Sequence, residues 1–122
     1  MKQFDLDTFN QLVDELIDSK TLIVVEGKND KKALKKLGFD NIITLSTPLY
    51  QIVEIVATYP KQEVAILTDF DAKGKELYKK IKSDCSQRGI RINTKLRSFL
   101  RRETDLVHIE GLDTFIKNRQ KI

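Results

Sequence analysis

Cysteine is nearly absent from this chain: Cys85 is the single thiol among 122 residues. With no partner for a disulfide and no second thiol for a zinc site, and set in a polar helical context, it reads as structurally neutral. No apolar run approaches the ~20 residues needed to cross a bilayer. The opening MKQFDLDTF carries acids where a signal peptide would have a basic and then an apolar stretch. A cytoplasmic protein without a membrane partner is therefore expected. Glycines are few and low-complexity tracts are missing, which argues against disorder away from the ends. An excess of one charge is missing too, since 22 basic and 18 acidic residues leave a net charge of +4. That alone does not identify a nucleic-acid partner, so the distribution of charge must be read instead.

What is present is the composition of a folded domain, 40% apolar and 33% charged. A chain of this length buries about two-thirds of its unfolded surface, which predicts one core. Phe9, Leu12, Val13, Leu16 and Ile17 recur at helical spacing within residues 4–17, with Asp14, Glu15 and Asp18 opposite, and Asp7 or Thr8 is the expected cap. The run TLIVV at 21–25 is apolar without alternation, which suits a parallel strand covered on both faces. A helix follows over 29–37, closed by Gly38, then a strand over 41–45 and a helix after Pro48. EVAILTDFD at 63–71 is a second buried strand running into acids. The remaining pattern predicts a helix over 74–88 ended by Gly89, a short strand at 90–93, a helix over 94–102, a strand over 106–109 and a helix from Asp113. The phrase LDTF stands at two expected helix starts, 6–9 and 112–115, and reads as repeated capping chemistry with Asp or Thr at the cap. Such alternation predicts an α/β domain with a mainly parallel sheet and helices on both faces.

Two of the buried strands run into carboxylates. Glu26 ends the first strand, and Asp69 and Asp71 end the third. In open parallel sheets ligands bind beyond the carboxyl ends of the strands, at the point where connections change sides. Under a strand order of 2-1-3-4 the first and third strands are neighbours there, and three carboxylates converge. Asp69 and Asp71, two apart on extended backbone, point to the same side. Acids that close need a cation, and an oxygen-only set favours Mg²⁺, with Mn²⁺ as the alternative. Gly27 and Gly74 would let the backbone turn sharply or approach a ligand closely. Lys28, Lys73 and Lys75 would place positive charge beside the metal, an arrangement suited to a phosphodiester. The competing reading is that these acids cap the helices that follow, and it is strongest for Asp30.

The joint pattern E-G-K-N-D at 26–30 and T-D-F-D-A-K-G at 68–74 resembles the Toprim domain. The wording is similar to small Toprim proteins, including the ribonuclease that matures 5S ribosomal RNA and short archaeal stand-alone proteins. The resemblance runs from about residue 20 to 110. It implies a three-layer, Rossmann-like fold with a four-stranded, mainly parallel sheet, filling residues 1–122 as one domain: an N-terminal amphipathic helix over 1–19, the core over 20–110 and a C-terminal helix over 111–122. It further implies that Glu26 is the general acid or base, or a metal ligand. Asp69 and Asp71 are implied to hold Mg²⁺, and Gly27, Asp30 and Gly74 to shape the site. The implied activity is metal-dependent phosphodiester hydrolysis or phosphoryl transfer in nucleic-acid processing, with a binding module or subunit of a larger complex as the alternative. A receiver domain would need an acidic pair after the first strand and one aspartate after the third. A haloacid-dehalogenase phosphatase would need D-x-D on the first strand. Neither order is found here.

The basic residues concentrate in RGIRINTKLRSFLRR at 88–102. With Leu96, Phe99 and Leu100 facing inward, Lys95, Arg97, Arg101 and Arg102 are expected outward, where Arg97, Arg101 and Arg102 would join Lys28 and Lys73 as phosphate contacts to RNA or DNA. A solvated charged face is the competing reading. No aromatic residues alternate with these cations, so base stacking is not indicated. Tyr50, Tyr59 and Tyr78 read as packing residues. His108, the only histidine, is expected to be packed within its strand, and Glu110 just after it is a further candidate acid.

Overall fold

The computed structural model describes residues 3–59 and 63–120; expectations for residues 1–2 and 121–122 lie outside them. Helix α1 (Leu6–Asp18) leads into strand β1 (Leu22–Val25), and α2 (Lys28–Lys36) into β2 (Ile42–Thr44). Next come α3 (Leu49–Thr58), β3 (Glu63–Ile66), α4 (Ala72–Gln87) and β4 (Arg91–Ile92). A further helix α5 (Lys95–Glu103), a 3-10 turn (Ile109–Gly111) and α6 (Leu112–Gln120) complete the order. The sheet is parallel throughout in the order β2-β1-β3-β4, so β1 and β3 are the central neighbours that the strand-end acids require.

Both faces of the central strands are covered, which is why TLIVV shows no polar alternation. Ile23, Val25, Ala65 and Leu67 face a core built from α1, α5 and α6, with Phe9, Leu100 and Ile116 among its members. Leu22, Val24, Val64 and Ile66 face a second core formed by α3 and α4. Cys85 is a member of that second core rather than of a polar surface, and burial raises its thiol pKa. Among the described residues no helix is long and apolar enough to cross a membrane.

Helix ends explain the remaining boundaries. The cap of α1 is Asp5, whose Oδ1 accepts from the amides of Asp7 and Thr8, so neither Asp7 nor Thr8 is the cap. Both LDTF copies sit one residue further inside, with Leu6 and Leu112 as the first helical residues. Gly38 and Gly89 do close α2 and α4, each at positive φ (104° and 75°) where a side chain would strain the backbone.

The predicted strand over 106–109 does not form. Leu106 and Ile109 turn into the core beside α1, α5 and α6. The segment instead runs beside the end of β3, held by one backbone bond from Phe70 N–H to the Val107 carbonyl. It then enters the 3-10 turn.

Candidate metal centre

Glu26, Asp69 and Asp71 all lie at the carboxyl ends of β1 and β3, but they do different things there. Asp69 and Asp71 come together with His108: one ligand atom from each lies within 4.8 Å of the others. Asp71 caps α4, its Oδ1 accepting the Gly74 amide at 2.7 Å, while its Oδ2 stands 3.5 Å from His108 Nε2. The capping role and a ligand role thus fall on different oxygens of one carboxylate. Asp69 accepts the Ile109 amide on Oδ1 at 2.8 Å, which ties the 3-10 turn to the strand end and sets His108 opposite Asp71.

Glu26 stands behind this group rather than within it. Its Oε2 accepts the Asp69 amide at 2.7 Å, so the carboxylate at the end of β1 fixes the backbone carrying the neighbouring acid. It also borders a cleft of about 310 Å³ lined by Thr47, Leu49, Lys73 and Leu77. The N-cap of α2 is Gly27, and Asp30 bonds back to the Gly27 amide at 3.0 Å. Asp30 is only 7% exposed. Burial raises its pKa, and the charges of Asp69, Glu110 and Glu26 add to that rise against the Gly27 bond. Glu110 itself is exposed in the 3-10 turn and is not one of the grouped ligand residues.

The glycines differ. A Cβ on Gly74 would lie 2.0 Å from the Asp69 carbonyl oxygen, so only glycine lets the first turn of α4 press against the acid-bearing backbone. Thr68 completes that contact through Oγ1 to the Gly74 carbonyl at 2.7 Å. Gly27 has an extended φ of −147°, and the nearest atom to a Cβ would be 4.0 Å away. Neither a sharp turn nor close packing requires glycine there.

Arg97 overturns the expectation of an outward phosphate ligand, being only 8% exposed. Its guanidinium donates to the carbonyls of Thr68 (2.5 Å), Asp69 (3.3 Å) and Ile66 (3.4 Å). It lies between the rings of Phe70 and Tyr78, 4.5 and 4.4 Å from their centroids. The reason is the short edge strand: β4 stops opposite Val64, and the carbonyls beyond it, of Ile66 at the end of β3 and of Thr68 and Asp69 after it, need another donor. A planar, forked cation supplies several N–H groups at once. Burial lowers its pKa, as does the like charge of Arg101.

Of the other cations, Lys28, Lys73, Lys75, Arg101 and Arg102 are exposed as expected, and Arg102 pairs with Glu103 at 3.4 Å. Tyr50, by contrast, is 67% exposed and does not pack. Tyr59 caps the end of α3 and its hydroxyl donates to the Lys20 carbonyl.

His108 is the site residue that sequence reasoning missed. It precedes the 3-10 turn with its side chain 58% exposed, not packed in a strand. The available signal was its place two residues before Glu110, in a segment whose strand reading had no assured partner.

The donor set fits a divalent cation. Two carboxylates offer hard oxygens suited to Mg²⁺ or Mn²⁺, and the imidazole adds a nitrogen that Mn²⁺ accepts more readily than Mg²⁺. Each acid is already oriented by a backbone amide, the outer-shell support such ligands require.

Comparison with known proteins agrees with this geometry. Residues 21–110 match the model of the Toprim domain. A UPF0292 protein of Methanocaldococcus jannaschii is 39% identical over 101 residues, covering 80% of this chain and 79% of that protein. One from Thermococcus onnurineus is 40% identical over 108 residues, covering 85% and 80%. In structure, a putative protein from Aquifex aeolicus superimposes with a TM-score of 0.78 at 30% identity, covering 88% of this chain and 97% of that one. The chain belongs to the Toprim domain family.

Proposed function

We propose that this protein is a metal-dependent enzyme acting on phosphodiester bonds of RNA or DNA, as a nuclease or phosphotransferase. The observation that carries the reading is the convergence of Asp69, Asp71 and His108 at the switch point of a parallel sheet, with Glu26 directly behind them. Asp69, Asp71 and His108 would hold Mg²⁺ or Mn²⁺. A divalent cation bound there supplies positive charge to a phosphoryl oxygen and acidifies water.

The protein's own residues have distinct tasks. Glu26 orients Asp69 through Oε2, and its Oε1 is the atom that takes or gives a proton. Asp30 and Gly27 fix the entry to α2 beside the acids, and Gly74 lets α4 close on Asp69. Lys28, Lys73 and Lys75 offset phosphate charge around the crevice. Since α1 packs Phe9, Val13 and Leu16 into the same core as the Toprim-matched residues, the whole chain is read as one unit.

End-labelled structured RNA and DNA incubated with Mg²⁺, Mn²⁺ or chelator test this. Cleavage by wild-type protein that needs metal and disappears in Asp69→Asn is expected; asparagine keeps an oxygen for the Ile109 amide, so the fold survives. A binding module is the second reading, favoured by the exposed Lys28, Lys73, Arg101 and Arg102. Metal-dependent retention of nucleic acid without cleavage would select it.

A further inference from the structure

We infer that the cleft between α4 and α5, lined by Tyr78, Lys82, Thr94, Arg97, Ser98 and Arg101, is a second site that holds a phosphate of the nucleic-acid backbone beside the acidic centre. This rests on the nucleic-acid reading above and assigns it a further contact.

The cleft follows from the truncated edge strand. Helix α4 belongs to the core on one face of the sheet and α5 to the core on the other. Because β4 ends after two residues, the helices meet past it, with Tyr78 of α4 against Arg97 of α5. The space between them measures about 280 Å³, room for a phosphate and its attached sugar oxygens.

The lining is chemically one-sided. Three of its six residues are cations, three carry hydroxyls, and none is acidic. Arg97 forms a fixed positive floor, since carbonyls and two rings hold its guanidinium, leaving Lys82, Thr94 and Ser98 to make direct contacts. Thr94 begins α5 without a capping bond of its own, while Asn93 Oδ1 accepts the Lys95 amide at 3.1 Å, and the positive end of that helix borders the same space.

The cleft and the acids are joined through one residue. Arg97 holds the Asp69 carbonyl, while the Asp69 carboxylate belongs to the metal centre. A strand whose phosphate sits in the cleft is therefore positioned against the backbone that carries the acids.

The test is the affinity of fluorescent RNA and DNA oligonucleotides, read by anisotropy in chelator so that no cleavage intervenes, for wild-type protein and Lys82→Glu/Ser98→Asp. Expected are about tenfold or greater weakening and a log-log salt slope shallower by about 1, with an unchanged melting temperature. Arg88→Glu, outside the cleft, serves as the control for general loss of positive charge. Equal affinity in the cleft variant and wild type, or no binding of either nucleic acid by the wild type, overturns the inference. Inorganic phosphate separates the sources: backbone binding predicts that it shifts the Thr94–Ser98 amide resonances only weakly and is displaced by oligonucleotide. Tight phosphate binding undisturbed by oligonucleotide would overturn the backbone assignment. Cleft-dependent affinity without metal-dependent cleavage would leave this site standing and remove the nuclease reading, and cleavage with undiminished affinity in the variant would do the reverse.

Discussion

The two flanks of one short segment, Ile66 to Asp71, are built on opposite terms. On one flank the side chains of Asp69 and Asp71 remain half-buried and directed at His108, each with one oxygen engaged by a backbone amide. On the other the backbone carbonyls are saturated by Arg97, clamped between two aromatic rings. The acidic flank keeps oxygens directed at a shared space and bears the signature of a ligand site. On the basic flank the Arg97 guanidinium itself is held by structure, and the residues around it, Lys82, Thr94 and Ser98, are the ones that face the open cleft. Residue type alone would have assigned phosphate contact to Arg97, so burial and partners, not charge, separate a ligand-facing residue from a supporting one.

The comparison breaks most sharply at Arg97. Arg97→Ala removes a buried cation and orphans the carbonyls of Ile66, Thr68 and Asp69, with an expected loss of about 4 kcal/mol in urea unfolding. Arg97→Lys is expected to recover only part of that, because an ammonium cannot fork across three carbonyls. Gly74→Ala, which forces a methyl onto the Asp69 carbonyl, should cost about 2 to 3 kcal/mol and weaken cation binding in the same protein. If it binds cation as wild type does, the closure of α4 does not shape the centre.

Glu26→Gln sharpens the comparison at smaller scale. Glutamine keeps an acceptor for the Asp69 amide but loses the charge, so about 1 kcal/mol of stability and nearly all cleavage should disappear. The smallest effect concerns Asp30. Its pKa is raised in the folded state, chiefly by burial, so folded protein binds more protons than unfolded protein between the two values. Stability therefore falls as pH rises through that window, and the cost is fully present above it. Asp30→Asn should flatten this dependence between acid and neutral pH in chelator, and be slightly more stable than wild type at pH 7. A pH profile identical to wild type would contradict that.

Much of the acidic flank was legible in the sequence. The unbroken apolar runs TLIVV and VAIL required strands covered on both faces, and their abrupt ends at Glu26 and Asp69 marked the crevice. Parallel pairing then followed from the intervening helices. The basic flank was not legible, because the orientation of Arg97 depends on β4 being too short to pair with β3 beyond Val64. A helical wheel reveals which residues share a face, not which carbonyls that face meets. The failure at 106–109 has a different cause: LVHI has strand composition, but a strand needs a ladder partner and finds only the loop after β3. His108 was lost with that misreading, since a packed strand histidine and a ligand look alike until Asp69 takes the Ile109 amide.

The most direct measurement is thermal unfolding of wild-type protein and Asp69→Asn across a titration of Mg²⁺ and Mn²⁺. A cation bound only to the folded state must stabilise it, by about 2.7 kcal/mol at a hundredfold excess over its Kd. A rising melting temperature in the wild type, larger per added Mn²⁺ than Mg²⁺ and absent in Asp69→Asn, is the predicted result. A melting temperature that neither ion changes would contradict the metal centre and leave the acids as helix caps.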